Sequence, residues 1–281
     1  MTAVRELLAA ATATLAEAGV GSPRVDAELL LAHSLGVSRS GLLTLGPVAD
    51  SAAYEATIAR RAAREPLQHI VGSAPFRHLE LAVGPGVFIP RPETELLIDA
   101  VLPQLLDSYV VVDLCSGSGA LALSVLDEAP GRRVVAVERD DDALAWLRRN
   151  AAGSTLEVVP GDVADPNLLF ELYGEVDVVL SNPPYVPETV TVDPEVRADP
   201  HAAVFAGADG LAVIPAVVAR AAELLHLDGM LAMEHDDTQG ESVPALLAAD
   251  GRWRDIAVHA DLTGRPRFTT ARRCEPVEQT R

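Results

Sequence analysis

The stretch from Tyr109 to Arg272 places the tightest limit on the fold, because short apolar segments alternate there with longer segments of helical character. Such alternation favours a largely parallel sheet that is covered by helices on both faces. The last two strands are close together along the chain, so one of them is expected to run antiparallel. The predicted strands are residues 109–114, 133–138, 155–159, 176–181, 229–234, 254–259 and 267–272.

The first 70 or so residues have a different pattern, which indicates helices. Apolar residues recur at three- and four-residue spacing between Leu7 and Ala18, as on one face of a helix. Ser22-Pro23 is a typical helix start, and a third helix is expected over residues 51–64. No strand pattern occurs there, so we expect a small helical bundle.

A hairpin is expected to link the bundle to the sheet. Residues 76–83 alternate in polarity, Gly84-Pro85-Gly86 is a turn signal, and Val87–Ile89 has the character of a returning strand. Pro90 and the acids after it then favour a helix start. The predicted organisation is a helical domain, a hairpin linker, a sheet domain and a disordered tail, over residues 1–74, 75–90, 91–274 and 275–281 respectively.

Charge and cysteine content exclude several classes of protein. The formal net charge is −19, and a surface this acidic would repel a phosphate backbone. Cys115 and Cys274 cannot form a disulfide framework, and no metal-ligand spacing occurs. The N-terminus lacks the basic start of a signal peptide, and no segment predicts a membrane span. We therefore expect a cytoplasmic protein with no metal, nucleic acid or membrane partner. A monomer is the expectation for its oligomeric state, although no pattern in the sequence decides it.

A turn rich in small residues follows the first predicted strand and opens a helix. Small residues let a ligand approach the backbone, and the helix start supplies free N–H groups. A plain tight turn is the alternative. The candidate cofactor-binding residues here are Asp113, Cys115, Ser116, Gly117, Ser118 and Gly119.

Two further acids follow the next two strands. Glu138 ends its strand about 20 residues beyond the turn, where an acid binds the ribose in nucleotide-binding βαβ units. Asp162 and Val163 follow the third strand, where the acid would hold an adenine amino group. An ordinary surface Glu and a turn Asp are the alternatives, and the same order of elements also fits a dehydrogenase.

The tetrapeptide Asn182-Pro183-Pro184-Tyr185 follows the fourth strand and favours a different enzyme class. It resembles the tetrapeptide of S-adenosylmethionine-dependent methyltransferases that modify a planar NH2 nitrogen. Such a nitrogen is a poor nucleophile because its lone pair is delocalised. The Asn182 oxygen and the Pro183 carbonyl can accept its two N–H bonds, and Tyr185 offers a ring face for stacking. A rigid turn is the alternative.

Further segments of the chain resemble the HemK/PrmC-type family, the peptide chain release factor glutamine N5-methyltransferases. The resemblance extends from about residue 5 to residue 272, and the joint occurrence of the segments is specific. Besides the tetrapeptide, the segments that carry it are Arg24–His33, Glu65–Gly72, Ile89–Glu95, Ala206–Leu211 and Asp261–Phe268.

The resemblance implies an α/β architecture with a Rossmann-like, seven-stranded class I methyltransferase domain behind a small helical domain that recognises the release factor. The cofactor would be S-adenosyl-L-methionine, and the acceptor the glutamine of the release factor's Gly-Gly-Gln loop. By position, the turn at Cys115–Gly119 would line the methionine part of the cofactor, and Glu138 would bind the ribose. Asp162 and Val163 would lie near the adenine.

The tetrapeptide would bind the target glutamine, with Asn182, Pro183 and Tyr185 as catalytic residues and Asn182 also touching the cofactor. Phe88 and Arg91 would wall the methyl-transfer site. The alternative for these two is a buried hinge aromatic and an Arg that pairs with Glu93 or Glu95.

The sequence departs from the family at the turn, which usually reads Gly-x-Gly-x-Gly but has Cys115 at the first Gly. This puts cofactor affinity in question rather than the reaction class. Three other functions remain open. They are an adenine N6-methyltransferase, a methyltransferase that modifies a glutamine of a ribosomal protein, and a non-catalytic cofactor-binding module. The first of these would require a basic groove for nucleic acid.

Overall fold

The computed structural model describes residues 2–105 and 109–276 of the 281-residue chain. It divides into two units. Unit 1 comprises Met1–Ser73 together with Val192–Ala198, and unit 2 comprises Ala74–Thr191 together with Asp199–Arg281. Most of the predicted tail, residues 277–281, lies outside the described residues.

Unit 1 is helical, as the spacing of its apolar residues predicted. Its side chains form one apolar core, in which Leu15, Leu30 and Leu31 are fully buried. Pro23 occupies the first turn of the second helix and Gly36 ends that helix in the left-handed conformation, because glycine tolerates a positive φ there. The helices are α1 (Val4–Glu17), α2 (Pro23–Leu35), α3 (Ala52–Ala62) and α4 (Leu67–Val71), with a 3-10 turn at Ser40–Thr44.

The segment Val192–Ala198 belongs to unit 1 through Glu195. The Glu195 carboxylate accepts hydrogen bonds of 2.7 and 2.6 Å from Arg64, and it forms an ion pair of 2.8 Å with Arg61. Arg61 is buried and also bonds Asp26 of α2 at 2.8 Å. Arg64 and Arg61 lower the pKa of Glu195 to about 2. A short segment from far along the chain is thus fixed to the helical core.

Unit 2 contains the predicted seven-stranded sheet. Its strands are β3 (Val110–Leu114), β4 (Arg133–Glu138), β5 (Glu157–Pro160), β6 (Val176–Ser181), β7 (Leu225–Glu234), β8 (Trp253–Ala260) and β9 (Pro266–Arg273). They lie in the order β5-β4-β3-β6-β7-β9-β8. The five neighbouring strands β5, β4, β3, β6 and β7 pair in parallel, and β9 runs antiparallel to both β7 and β8, which confirms the prediction of one reversed strand.

Helices pack on the sheet, which has an apolar cluster on each face, so its central strands are buried on both faces. The helices of unit 2 are α5 (Glu95–Val101), α6 (Ala120–Glu128), α7 (Asp141–Asn150), α8 (His201–Val204), α9 (Ile214–Leu224) and α10 (Ser242–Asp250). This is the predicted α/β, Rossmann-like architecture. No helix in the described ranges is long and apolar enough to cross a bilayer.

The hairpin before the sheet turns at a different place from the prediction. Strands β1 (Ser73–Phe76) and β2 (Leu79–Ala82) pair across Arg77-His78, whereas Val87–Ile89 forms no strand. Arg77 has a φ of +51°. Its backbone N–H donates to Glu95 at 3.0 Å and its guanidinium bonds Glu128 at 2.7 Å, so contacts distant in sequence stabilise a turn without glycine. The Gly-Pro-Gly signal instead serves packing, because a Cβ on Gly84 would lie 2.6 Å from the Trp146 ring.

Candidate active site

The carboxyl ends of β4, β3 and β6 bring the predicted site residues together. Leu114 of β3 pairs with Val137 of β4 on one side and with Ser181 of β6 on the other. The Ser181 hydroxyl also donates to the Leu114 carbonyl at 2.7 Å. The next residues, Glu138 and Asn182, therefore flank the start of the turn after β3, since neighbouring strands lie about 4.8 Å apart. Ligands bind at this edge of open α/β sheets.

The turn after β3 has an unusual backbone. Cys115, Gly117 and Gly119 have φ values of +64°, +55° and +87°. A Cβ on Gly119 would lie 2.6 Å from Leu147, so this glycine is required for the packing of α6 against α7. A Cβ on Gly117 would meet no atom within 4 Å, so the backbone there faces open space.

Cys115 adopts the left-handed conformation for which the family's turn uses glycine. This conformation costs about 1–2 kcal/mol for a residue with a side chain. Burial raises the pKa of the Cys115 thiol, which therefore stays neutral and acts as a small apolar group.

Buried groups behind the turn hold it in place. The Ser116 backbone N–H donates to the Val137 carbonyl, and its hydroxyl donates to the Asp113 carbonyl, both at 2.9 Å. Ser118 is buried, and its carbonyl accepts from the Asn150 amide at 2.9 Å. The turn is therefore fixed before any ligand binds.

Asp113 is buried at the end of β3. One carboxylate oxygen accepts from the Ala122 N–H at 3.3 Å, and the other has no hydrogen-bond partner in the described part of the chain. Burial raises the pKa of Asp113 to about 7, and the nearby Glu138 acts in the same direction. A carboxyl group with an unused oxygen thus lies directly beneath the turn.

Glu138 binds the turn itself. It accepts from the Gly117 N–H at 2.8 Å through one oxygen, and from the Arg139 and Asp140 N–H groups at 2.7 and 2.9 Å through the other. A carboxylate offers about four acceptor positions, so three are in use. Glu138 is therefore more than a surface acid, because it ties the loop after β4 to the turn after β3.

Asp162 and Val163 follow β5. Asp162 accepts from the Ala164 N–H at 2.9 Å, as in a turn, and its other oxygen lies 3.3 Å from Arg139. Its side chain is half-exposed, whereas Val163 is buried in the apolar cluster on one face of the sheet. The hydrogen bond to Ala164 is that of a turn Asp, as the alternative expected. Because the Asp162 side chain is half-exposed, it can still contact a cofactor, and this role stays a prediction.

Asn182 has its two amide atoms in different environments. Its nitrogen donates to the Thr94 hydroxyl at 3.1 Å. Its oxygen has no partner among the described residues, and neither does the Pro183 carbonyl oxygen. Pro183 and Pro184 are buried, which restricts the backbone here, and the bond to Thr94 orients the Asn182 amide. Two acceptors are thus available beside the turn after β3.

Tyr185 is held at both its ends. Its hydroxyl donates to Glu234 at 2.8 Å, and its carbonyl accepts from the Gln239 side chain at 3.0 Å. Gln239 also donates to the Asp209 carbonyl at 3.2 Å. The segment Ala206–Leu211 is thereby tied to the tetrapeptide through Gln239.

Phe88 and Arg91 contact each other, with the guanidinium 4.9 Å from the ring centre. Arg91 pairs with the buried Asp199 and not with Glu93 or Glu95, which corrects the alternative raised from the sequence. Asp199 also accepts from the Ile89 N–H at 3.1 Å. Burial raises the pKa of Asp199 to about 6. The Phe88–Arg91 segment is therefore fixed to Asp199, and its place beside the methyl-transfer site stays a prediction.

Sequence reasoning missed Thr94, Asp199 and Glu234. Glu234 ends a predicted strand, just as Glu138 and Ser181 do, and this position in the strand was an available signal. Thr94 and Asp199 carried no signal of their own, because each acts through a partner that is distant in sequence.

Comparison with known proteins shows which family the chain belongs to. Two family models match the chain, described as "PrmC N-terminal domain" over residues 6–72 and "Methyltransferase small domain" over residues 80–198. A release factor glutamine methyltransferase of Mycolicibacterium smegmatis is 53% identical over 97% of this chain and 99% of its own length. The corresponding protein of Streptomyces coelicolor is 49% identical over 96% of this chain and 98% of its own.

The chain belongs to the release factor glutamine methyltransferases. This family membership identifies it as an S-adenosylmethionine-dependent enzyme. The class of enzyme that the tetrapeptide predicted is thus confirmed, and the dehydrogenase alternative is wrong.

Two solved structures of other proteins resemble the fold of this chain. A methyltransferase from Pyrococcus furiosus aligns with a TM-score of 0.51 at 16% identity, over 78% of this chain and 96% of its own. A Thermus thermophilus 16S rRNA N2 G1207 methyltransferase in complex with AdoMet and guanosine aligns with a TM-score of 0.50 at 21% identity, over 72% of this chain and 49% of its own. At these identities the likeness concerns the fold alone.

Proposed function

We propose that this enzyme transfers a methyl group from S-adenosyl-L-methionine to the side-chain amide nitrogen, N5, of the glutamine in the Gly-Gly-Gln motif of class 1 peptide chain release factors. The product would be S-adenosyl-L-homocysteine, and the effect a tuning of translation termination. One observation carries the proposal. Two unused acceptors, the Asn182 side-chain oxygen and the Pro183 carbonyl, lie at the edge of the sheet beside a ligand-accessible turn.

The cofactor would lie along the edge from the turn after β3 to the end of β5. The backbone at Gly117 leaves open space for it, and the unused oxygen of Asp113 lies beneath. Glu138 would hold the ribose with its remaining acceptor capacity, and Asp162 with Val163 would lie near the adenine. When bound, the cofactor supplies an electrophilic methyl group on its sulfonium.

The residues of the acceptor side would position the glutamine. Asn182 and the Pro183 carbonyl would each accept one of its N–H bonds, which aims the nitrogen and places two negative dipoles where positive charge develops. Tyr185 would stack on the planar amide, with its ring fixed by the bond to Glu234. Pro184, Phe88 and Arg91 would complete the wall. A strong general base is not required before attack, because the N–H proton becomes acidic only as the new bond forms.

The predicted domain roles remain part of this proposal. Residues 1–74 would dock the release factor, and residues 91–274 would carry the chemistry. The net charge of −19 suits a protein partner with a basic loop and disfavours nucleic acid. We propose a cytoplasmic, monomeric enzyme that uses no metal.

Mass spectrometry tests the proposal. Incubation with S-adenosyl-L-methionine and a class 1 release factor should add one methyl group to the Gly-Gly-Gln peptide. A release factor with that glutamine changed to Asn is the control and should stay unmodified. Methylation of a ribosomal protein instead, or of adenine in nucleic acid, would replace the proposed substrate.

A further inference from the structure

The loop between β8 and β9 takes no part in the proposed chemistry, although the segment Asp261–Phe268 is one of those that carry the family resemblance. It lies at the same edge of the sheet as the tetrapeptide. Strand β9 runs antiparallel to β7, so its start lies beside the end of β7, where Phe268 pairs with Glu234. The loop residues Asp261–Arg265 therefore leave the sheet on the side where ligands bind in α/β folds.

The buried Asp261 closes this loop. One of its carboxylate oxygens accepts from the Thr263 N–H at 2.8 Å, from the Thr263 hydroxyl at 2.6 Å and from the Arg265 N–H at 3.2 Å. The other oxygen accepts from the Arg267 guanidinium at 3.2 Å. In the backbone, the Asp261 N–H donates to the Arg265 carbonyl at 2.8 Å, and the Gly264 N–H donates to the Asp261 carbonyl at 2.9 Å. A loop with this many internal bonds keeps one shape, so it loses little conformational freedom when it binds a partner.

The tip of this rigid loop is apolar. Leu262 is 95% exposed, more than any other large apolar side chain in the described part of the chain. Single exposed leucines are common on protein surfaces. Here, however, the hydrogen bonds of Asp261 hold the loop so that Leu262 projects into solvent and contributes almost no apolar burial to the fold. Folding alone gives no reason for a leucine at this position.

The loop is fixed with respect to the tetrapeptide through the segment that follows β7. Pro266 packs on Gly240 of that segment, where a Cβ atom would lie 2.9 Å from the Pro266 Cβ. The neighbouring residue Gln239 donates from its side chain to the Tyr185 carbonyl at 3.0 Å. The apolar tip and the tetrapeptide are therefore held at one separation by direct contacts.

The sheet gives the scale of this separation. Strand β9 lies two places from β6, the strand that Asn182 follows. Neighbouring strands are about 4.8 Å apart, so the loop begins about 10 Å from the end of β6. An extended polypeptide covers about 3.3–3.6 Å per residue, so about three residues bridge this distance. A protein whose glutamine lay at Asn182 would therefore bring its neighbouring residues to the loop.

We propose that the Asp261–Arg265 loop docks the protein substrate, and that Leu262 packs against an apolar side chain about three or more residues from the methyl-accepting glutamine. This inference rests on the proposed function, because it takes the tetrapeptide as the place where that glutamine binds. The expected occupant is a polypeptide. An apolar tip has no partner on a phosphate backbone, which the net charge of −19 also repels.

Binding and rate measurements on Leu262→Ser test the proposal. Because the side chain is exposed, the variant should unfold at the wild-type temperature and bind the cofactor normally. In calorimetric titration with a class 1 release factor, its Kd should rise by about 10-fold, the effect of losing the burial of one leucine. The KM for the release factor should rise similarly, while kcat stays within about 2-fold of the wild type.

Leu227→Ser is the matched control. Leu227 is 51% exposed at the start of β7, on the opposite edge of the sheet, so its variant should keep the wild-type Kd and KM. Unchanged Kd and KM in Leu262→Ser, or an equal loss in Leu227→Ser, would overturn the proposal. A second copy of this chain is the competing occupant. Sedimentation velocity would then show a dimer for the wild type and a monomer for Leu262→Ser, which would also overturn the proposal.

The two measurements separate this inference from the function on which it rests. If the release factor binds with the expected dependence on Leu262 but gains no methyl group, the proposed reaction fails and the docking role stands. If the wild type and Leu262→Ser methylate the factor with the same KM, the docking role fails and the proposed reaction stands.

Discussion

The carbonyl oxygen of Tyr185 lies only 2.0 Å from the position that a Cβ atom on Gly210 would occupy. Any side chain at this glycine would displace the tetrapeptide or the loop that contains Gly210. The Gln239 amide lies close on another side, at 2.7 Å from the same position, so the loop has little room to move. The absence of a side chain at Gly210 thus allows the loop to pack against the Asn182–Tyr185 tetrapeptide.

We expect Gly210→Ala to slow methyl transfer by at least about 10-fold while cofactor affinity changes little, because the displacement falls on the acceptor side. The free energy of unfolding should fall by about 1–3 kcal/mol, from overpacking and from a φ of +75°. Gly251→Ala is the matched control, since Gly251 has a φ of +76° and no atom near its Cβ position. Equal activity of the two variants would show that the contact with Tyr185 is unimportant.

Asn182→Ala should slow single-turnover transfer by about 10²–10³, the effect of losing one preorganised group at a developing charge. Asn182→Asp retains an acceptor of the same length and should lose less. Cofactor titration by calorimetry should give nearly the wild-type affinity for both. A wild-type rate for Asn182→Ala, or a loss explained wholly by weaker cofactor binding, would contradict the positioning role.

Glu138→Gln should weaken S-adenosyl-L-methionine binding by about 1.5–3 kcal/mol, the scale of a charged hydrogen bond. Beyond the lost charge, the Gln NH2 would face an N–H group, either of Gly117 or of Arg139 and Asp140, and loosen the turn. Calorimetric titration measures the change. Glu157→Gln, at an exposed acid on β5, is the control and should bind the cofactor normally; the same affinity in both variants would remove Glu138 from the site.

The raised pKa of the buried Asp113 predicts that the stability of the fold depends on pH. Its pKa is about 7 in the folded protein and 3.8 in an unfolded chain, so the folded state binds the proton more tightly. The free energy of unfolding should therefore fall as the pH rises from about 4 to 7, where burial of the charge becomes unfavourable. Asp113→Asn removes this contribution, and its stability relative to the wild type should grow by about 1–3 kcal/mol between pH 5 and pH 8.

Denaturant titrations of both proteins at the two pH values measure this difference. Taking the difference cancels the contributions of Asp199 and Glu234, whose pKa values are also raised. A difference that stays constant with pH would mean that Asp113 is ionised in the fold.

The parts of the fold and site that the sequence predicts are those encoded locally. The strands and the turn after β3 follow from runs of apolar and small residues. The hydrogen bonds that orient the site are of another kind. Thr94 lies 88 residues from Asn182, and Glu234 lies 49 residues from Tyr185, so no local pattern signals either pair. The misplaced hairpin turn has the same cause, because Arg77 is held by Glu95 and Glu128.

The helical unit is encoded in two separate stretches of the gene. Residues 192–198 belong to it, although they lie between two parts of the sheet unit, and Glu195 completes an ion network with Arg61 and Arg64. A recombinant chimera that exchanges only the first 73 residues with those of a relative would therefore combine one protein's arginines with the other's acid. Exchange of this unit between family members requires both stretches to come from the same parent.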